Sequence, residues 1–126
     1  MKLIVGNTGL VGQTIQKFET FDYAFNSKNI DTFKEIAKDG DELFLACLPA
    51  TKWLVNQNLS ADIDNMHKIL NTIQSIHYSK ITLISTIDVY SDSPLYCNET
   101  YAPNIRNLSY GNNRYLFELL IKHFVK

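Results

Sequence analysis

An excess of charge of either sign is missing. Twelve Lys and Arg face thirteen Asp and Glu in 126 residues, a net of −1. No basic surplus is available to displace counterions from DNA or RNA, so no nucleic-acid partner is expected. Cysteine is scarce. Cys47 and Cys97 are too few and too distant for a disulfide framework, and reduced, buried thiols are expected of them. No linker rich in Pro, Gly or Ser divides the chain, so residues 1–126 read as one domain. No apolar run is long enough to cross a bilayer, and no membrane partner is expected. Met1-Lys2-Leu3-Ile4-Val5-Gly6 has too short an apolar core for a secretory signal. A soluble, cytoplasmic protein is expected. His67, His77 and His123 share no ligand spacing with one another or with either cysteine, and no metal is expected.

What is present is alternation. Leu3-Ile4-Val5, stopped by Gly6, reads as a strand buried on both faces. Apolar residues at 10, 11, 15 and 18 have helical spacing. Residues 21–25 read as a second strand. Residues 31–38 read as a short helix with Phe33, Ile36 and Ala37 inward, ended by Asp39-Gly40-Asp41. Residues 43–48 are a third strand, stopped by Pro49. A long helix over 59–76 follows, with Leu59, Ile63, Met66, Leu70 and Ile73 stepping by four and three. Residues 81–85 form a fourth strand, 91–108 a polar loop, and Ser109 can N-cap a last helix running to about Phe124. Trp53, Leu54 and Val55 read as core or as a dimer contact. Strand and helix in turn predict an α/β, doubly wound, Rossmann-like parallel sheet of about four to five strands with helices on both faces.

The first strand-to-helix crossing carries Gly6-Asn7-Thr8-Gly9-Leu10-Val11-Gly12. A strand that turns at once into a helix aims unpaired backbone amides beyond the strand's end, where a pyrophosphate can accept from them. Gly6 permits the turn, Gly9 lets phosphate approach, and Gly12 lets the helix pack closely. Gly6, Thr8, Gly9, Leu10, Val11 and Gly12 are therefore candidate cofactor-binding residues. Three glycines can also simply make a turn; the position at an α/β crossing favours dinucleotide binding. NAD recognition usually places a carboxylate near the end of the second strand. Phe25-Asn26-Ser27-Lys28-Asn29 offers none. Ser27 and Lys28 suit a 2′-phosphate, which favours NADP over NAD, although Lys28 also reads as an ordinary solvated lysine.

Ser85-Thr86-Ile87-Asp88-Val89-Tyr90 places a hydroxyl pair at the fourth strand's end. Asn98-Glu99-Thr100 follows, then Tyr110-Gly111-Asn112-Asn113-Arg114 with Glu118 one turn on. Tyr110 and Arg114 share a helix face. In order and spacing, from Gly6 to Glu118, these motifs resemble the extended short-chain dehydrogenase/reductase family, which includes nucleotide-sugar epimerases, dehydratases and dTDP-4-dehydrorhamnose reductase. Asp62-Ile63-Asp64-Asn65-Met66-His67-Lys68-Ile69-Leu70 resembles the family's long helix, with its usual Asn and Gly replaced.

The resemblance implies a minimal NAD(P)-dependent oxidoreductase or epimerase acting on a hydroxyl or keto carbon, by analogy that of a nucleotide sugar. Tyr110 would be the acid/base, Thr86 would hold the substrate oxygen, and Arg114 would replace the lysine that binds the nicotinamide ribose and favours the phenolate. Arginine has a different reach and cannot surrender a proton. The family's C-terminal substrate-binding part is missing from these residues. An NAD(P)-binding module without catalysis, serving as sensor or partner subunit, is the alternative. The resemblance also implies a homodimer through helices 59–76 and 110–124.

Overall fold

The computed structural model describes residues 1–49, 52–86 and 110–125. The expected polar loop, the N-cap Ser109, Cys97, Asn98-Glu99-Thr100 and the Val89-Tyr90 end of the hydroxyl motif lie outside the described residues.

Strands β1 (Lys2–Val5), β2 (Tyr23–Phe25), β3 (Glu42–Leu45) and β4 (Lys80–Leu83) pair in the order β2-β1-β3-β4, every pair parallel. The helices are α1 (Leu10–Ile15), α2 (Phe33–Ile36), α3 (Lys52–Gln57), α4 (Leu59–Ile73) and α5 (Tyr110–Phe124), with a 3-10 turn at Ile30–Thr32. The fold is mixed α/β on a four-strand, all-parallel sheet. Parallel neighbours need crossover connections, which the helices supply. β1 has a strand on each side, and its Leu3, Ile4 and Val5 are all buried, which explains an apolar run without alternation.

Leu3, Val5, Phe25, Leu43 and Leu45 enter one core with Phe33 and Ala37, with Met66, Ile69, Leu70 and Ile73 of α4, and with Phe117 and Ile121 of α5. Inward placement of Phe33, Ile36 and Ala37, and of the α4 stripe from Met66 to Ile73, follows the expected spacing. Phe25 meets Phe33 edge to face with centroids 4.9 Å apart, as the ring quadrupoles favour. Fully burying one such ring stabilises the fold by about 2–3 kcal/mol. Leu3 lies beside Leu43, and Leu43 beside Ile81, so a one-residue slip would turn this face outward.

Phe44 belongs to the opposite face, packed by Phe21 at 5.0 Å and flanked by α1. Apolar spacing at 10, 11, 15 and 18 marks a helix but not a buried stripe: Leu10 and Phe18 are 83% and 84% exposed. Gly12 gives the reason. A Cβ there would stand 1.9 Å from the Gly6 carbonyl oxygen, so α1 makes its closest contact through bare backbone.

Several element boundaries depart from expectation: α1 ends at Ile15 rather than 18, β2 starts at Tyr23 rather than 21, α2 is confined to Phe33–Ile36 within the expected 31–38, and β4 is Lys80–Leu83 rather than 81–85. β3 stops at Leu45 rather than 48, and Ala46-Cys47-Leu48 leave the ladder after the Ala46 amide donates to the Val5 carbonyl. Helix α3 precedes α4, separated by Asn58, whose side chain accepts from the Ala61 amide at 3.1 Å. Trp53 on α3 is 66% exposed, so it is not core; only Val55 of Trp53-Leu54-Val55 is buried. α4 ends at Ile73 rather than 76.

At the strands' amino ends, Asp39-Gly40-Asp41 ties β3 to β4. Gly40, at φ +91°, donates to the His77 carbonyl at 2.7 Å, and the Ser79 amide donates to the Asp41 carbonyl at 2.9 Å. Burial alone would raise the Asp41 carboxyl. Hydrogen bonds from the N-terminal ammonium at 2.8 Å and the Lys38 amide at 2.9 Å outweigh it and hold the group below the usual carboxylate range. Burial, then the Asp41 charge, pushes the Tyr78 phenol up.

A depressed folded-state pKa gives stability that is present above the unfolded value of about 3.9 and is lost as pH falls through the folded value. Asp41→Asn is therefore expected to cost about 1–2 kcal/mol at neutral pH. Urea denaturation should show the gap between variant and wild type closing in acid. A gap independent of pH would contradict this.

Candidate functional site

The chain leaves β1 towards one edge to make β2 and towards the other to make β3 and β4. Loops leaving the carboxyl ends of β1 and β3 therefore diverge, and a crevice is left between them. A cleft of about 720 Å³ opens there, within the size range of small-molecule sites. Its walls come from every strand end: Gly6, Thr8, Gly9, Leu10 and Val11 after β1, Asn26 and Ser27 after β2, Ala46 to Pro49 after β3, and Ile84 and Ser85 after β4. Asn65, Lys68 and Thr72 of α4, with Tyr110 and Arg114 of α5, close the remaining side.

The three glycines do different things. Gly6 has φ +97°, and a Cβ on it would stand 2.1 Å from the Ala46 carbonyl oxygen; only glycine lets β1 turn against the end of β3. Gly12 packs on Gly6, as described. Gly9 is different: its φ is −74° and a Cβ would meet nothing within 4 Å. The fold itself makes no demand for glycine at position 9, which faces the open cleft.

Side chains of the helix brace this loop by its carbonyls. Gln13 Nε2 donates to the Thr8 carbonyl at 2.7 Å, and Gln16 Nε2 to the Asn7 carbonyl at 2.9 Å. Gly9, as N-cap, brings no side-chain acceptor to the first-turn amides, which have no intrahelical partner.

Beyond β2 the turn holds itself and also reaches the glycine loop, where Asn26 Nδ2 donates to Asn7 Oδ1 at 3.3 Å. Asn26 Oδ1 accepts from the Lys28 amide at 2.8 Å, and Asn29 Oδ1 accepts from the Asn26 amide at 2.7 Å. Ser27 lines the cleft, whereas Lys28 is exposed outside its wall. Gly12 lies beneath the loop, also off the wall. Thr86 is half-buried, one residue beyond the cleft-lining Ser85.

At the other end, Tyr110 and Arg114 come together on the wall. The Tyr110 amide donates to Asn56 Oδ1 of α3 at 2.8 Å, so one helix caps another. The Arg114 guanidinium lies 4.6 Å from the Tyr110 ring centroid, a cation over an aromatic face. It is fully engaged elsewhere too: Nη1 and Nη2 donate to Asp62 at 2.7 and 3.0 Å, and Nη2 to the Pro49 carbonyl at 2.8 Å. Asn113 Nδ2 gives Asp62 a third donor at 2.9 Å. Both ions are buried, and their mutual bonds offset the cost of taking them from water.

Sequence pattern does not assign Asp62 a role, although it leaves a signal. It stands four residues before Met66 on an apolar stripe, where a carboxylate needs a cation. Asn65, Lys68 and Thr72 were also unmarked; their spacing of three and four places them on one helix edge beside that stripe. Cys47 lines the cleft as a neutral thiol, since burial pushes it up to about 12 against a smaller pull from the Arg114 charge.

Among the described residues, no group of His, Cys, Asp and Glu is placed to hold a metal ion, and no helix is long and apolar enough to cross a membrane. No protein-family model matches this chain, and no curated protein or solved structure matches it.

The glycines give a direct check. Gly6→Ala combines a left-handed φ with a backbone clash and should cost more than about 3 kcal/mol. Gly9→Ala should stay within about 1 kcal/mol of wild type. Thermal or urea denaturation of the two variants, compared with wild type, reads this; equal losses would contradict it.

Proposed function

We propose that the chain is a Rossmann-like, doubly wound domain that binds NADP or NAD in the cleft at the ends of β1 and β3, with NADP favoured. One observation carries this reading. Gly9 is unneeded by the fold and opens onto the cleft, where a side chain would occupy the space a pyrophosphate needs. The wall around it fits the group in sign as well. No Asp or Glu is among its described residues, and the residues after β2 offer hydroxyl and amide groups rather than the carboxylate that would repel a 2′-phosphate.

A second reading adds chemistry. Tyr110 lines the same cleft, so the domain also has an acid/base candidate for a hydroxyl or keto carbon, by resemblance that of a nucleotide sugar. The bound nicotinamide would supply or accept the hydride. Tyr110 would give the phenolic proton to the reduced substrate oxygen, and Thr86 would hold that oxygen. Arg114, stacked on the Tyr110 ring and anchored by Asp62, would keep the phenol in place, its own charge already matched by that carboxylate.

A homodimer through 59–76 and 110–124 belongs to the same proposal. Leu59 and Ile63 of α4 and Leu116, Leu119 and Leu120 of α5 are only half-buried, and Phe124 is 58% exposed. Light scattering at micromolar concentration should return twice the chain mass.

Titration with NADPH and NADH, followed by nicotinamide fluorescence, tests the binding reading. Wild type should bind in the submillimolar range and Gly9→Ala should lose at least about tenfold in affinity while staying folded. Absence of binding in wild type would overturn the proposal. Tyr110→Phe should retain binding and abolish carbonyl reduction; unchanged reduction would remove the catalytic reading alone.

A further inference from the structure

Lys68 projects into the cleft from α4, in a row with Asn65 and Thr72. The row covers seven residue steps of helix, about 10 Å along the axis. Ile69, next to Lys68, and Ile30, just beyond Ser27, both belong to the core and both reach the same cleft. The middle of α4 and the residues that follow β2 therefore line one and the same cleft.

Charge there is unbalanced. The described cleft wall holds two cations and no carboxylate. Arg114 is matched by Asp62, whereas the Lys68 ammonium makes no hydrogen bond or ion pair with a described residue. Its backbone is fixed, since the Lys68 carbonyl accepts from Thr72 Oγ1 at 2.9 Å. An exposed lysine on open surface would mean little. A lysine on the wall of a carboxylate-free cleft of this size selects for an anion on the ligand.

We infer that Lys68 is the residue that distinguishes a phosphorylated adenosine ribose from an unphosphorylated one, accepting the 2′-phosphate between its ammonium and the Ser27 hydroxyl. Lys28, although nearer in sequence to Ser27, lies outside the wall and contributes only to the general field. The inference rests on the dinucleotide reading and deepens it by assigning the group that selects NADP.

Isothermal titration of the full chain with NADPH, NADH, 2′,5′-ADP and 5′-AMP tests it. Lys68→Ala should weaken NADPH and 2′,5′-ADP by about tenfold or more. It should leave NADH and 5′-AMP within about twofold of wild type. Lys28→Ala should leave the ratio of NADPH to NADH affinity unchanged. Lys68→Gln, with the same stem and no charge, should behave as the alanine variant does, and an unchanged melting temperature separates the effect from misfolding. Equal weakening of NADPH and NADH would overturn the inference, because Lys68 would then hold a phosphate common to both. So would an unchanged NADPH affinity, or a wild type that favours NADH. A wild type that binds neither dinucleotide would overturn the binding proposal itself, and this inference with it.

Discussion

The approach of Gly6 to Ala46 and Cys47 sets the rest of the site. β1 turns so tightly at its carboxyl end that no side chain fits between it and the end of β3. Gly12 then presses on the Gly6 carbonyl from the helix side. Two close backbone contacts thus fix where α1 starts, and α1 in turn fixes where its unpaired amides lie. Because these contacts use bare backbone, the long apolar side chains at the start of α1 are left at the margin, which accounts for the exposure of Leu10.

A polar anchor holds the far end of the cleft. Asp62 lies in the first turn of α4, where helix amides favour negative charge, and it takes three side-chain donors from α5. Through Arg114 it also holds the Pro49 carbonyl, just past β3. One buried carboxylate therefore ties α4, α5 and the loop after β3 into a single wall. The glycine end is shaped by backbone contact and the Tyr110 end by charge pairing, and the cleft is the space between two independently fixed structures.

Much of this was legible in the sequence, for physical reasons that differ by element. The four strands and the α4 stripe showed because burial leaves a trace, an unbroken apolar run where both faces are covered, as in Leu3-Ile4-Val5, and a periodic stripe where one is, as in Met66-Ile69-Leu70-Ile73. The glycine loop showed because Gly6 and Gly12 meet a steric demand that only one residue type satisfies. Position 9 cannot be separated from them by residue type alone; the fold distinguishes it by leaving it free. The end of β3 was misplaced because Ala46-Cys47-Leu48 is as apolar as the strand and yet turns out to line a cleft. Trp53 is not core because α3 is a separate short helix whose inward residue is Val55. Asp62 was legible and overlooked. Lys68 was not marked, since one lysine among twelve basic residues acquires meaning only from which wall it stands on.

Backbone amide mapping tests the central claim most directly, that the crossing from β1 to α1 receives a dinucleotide's phosphates. In a titration of isotopically labelled protein with NADPH, followed by amide proton–nitrogen correlation spectra, the account predicts the largest shifts at the amides of Thr8, Gly9, Leu10 and Val11. Saturating NADPH that leaves these four amides unmoved would contradict it.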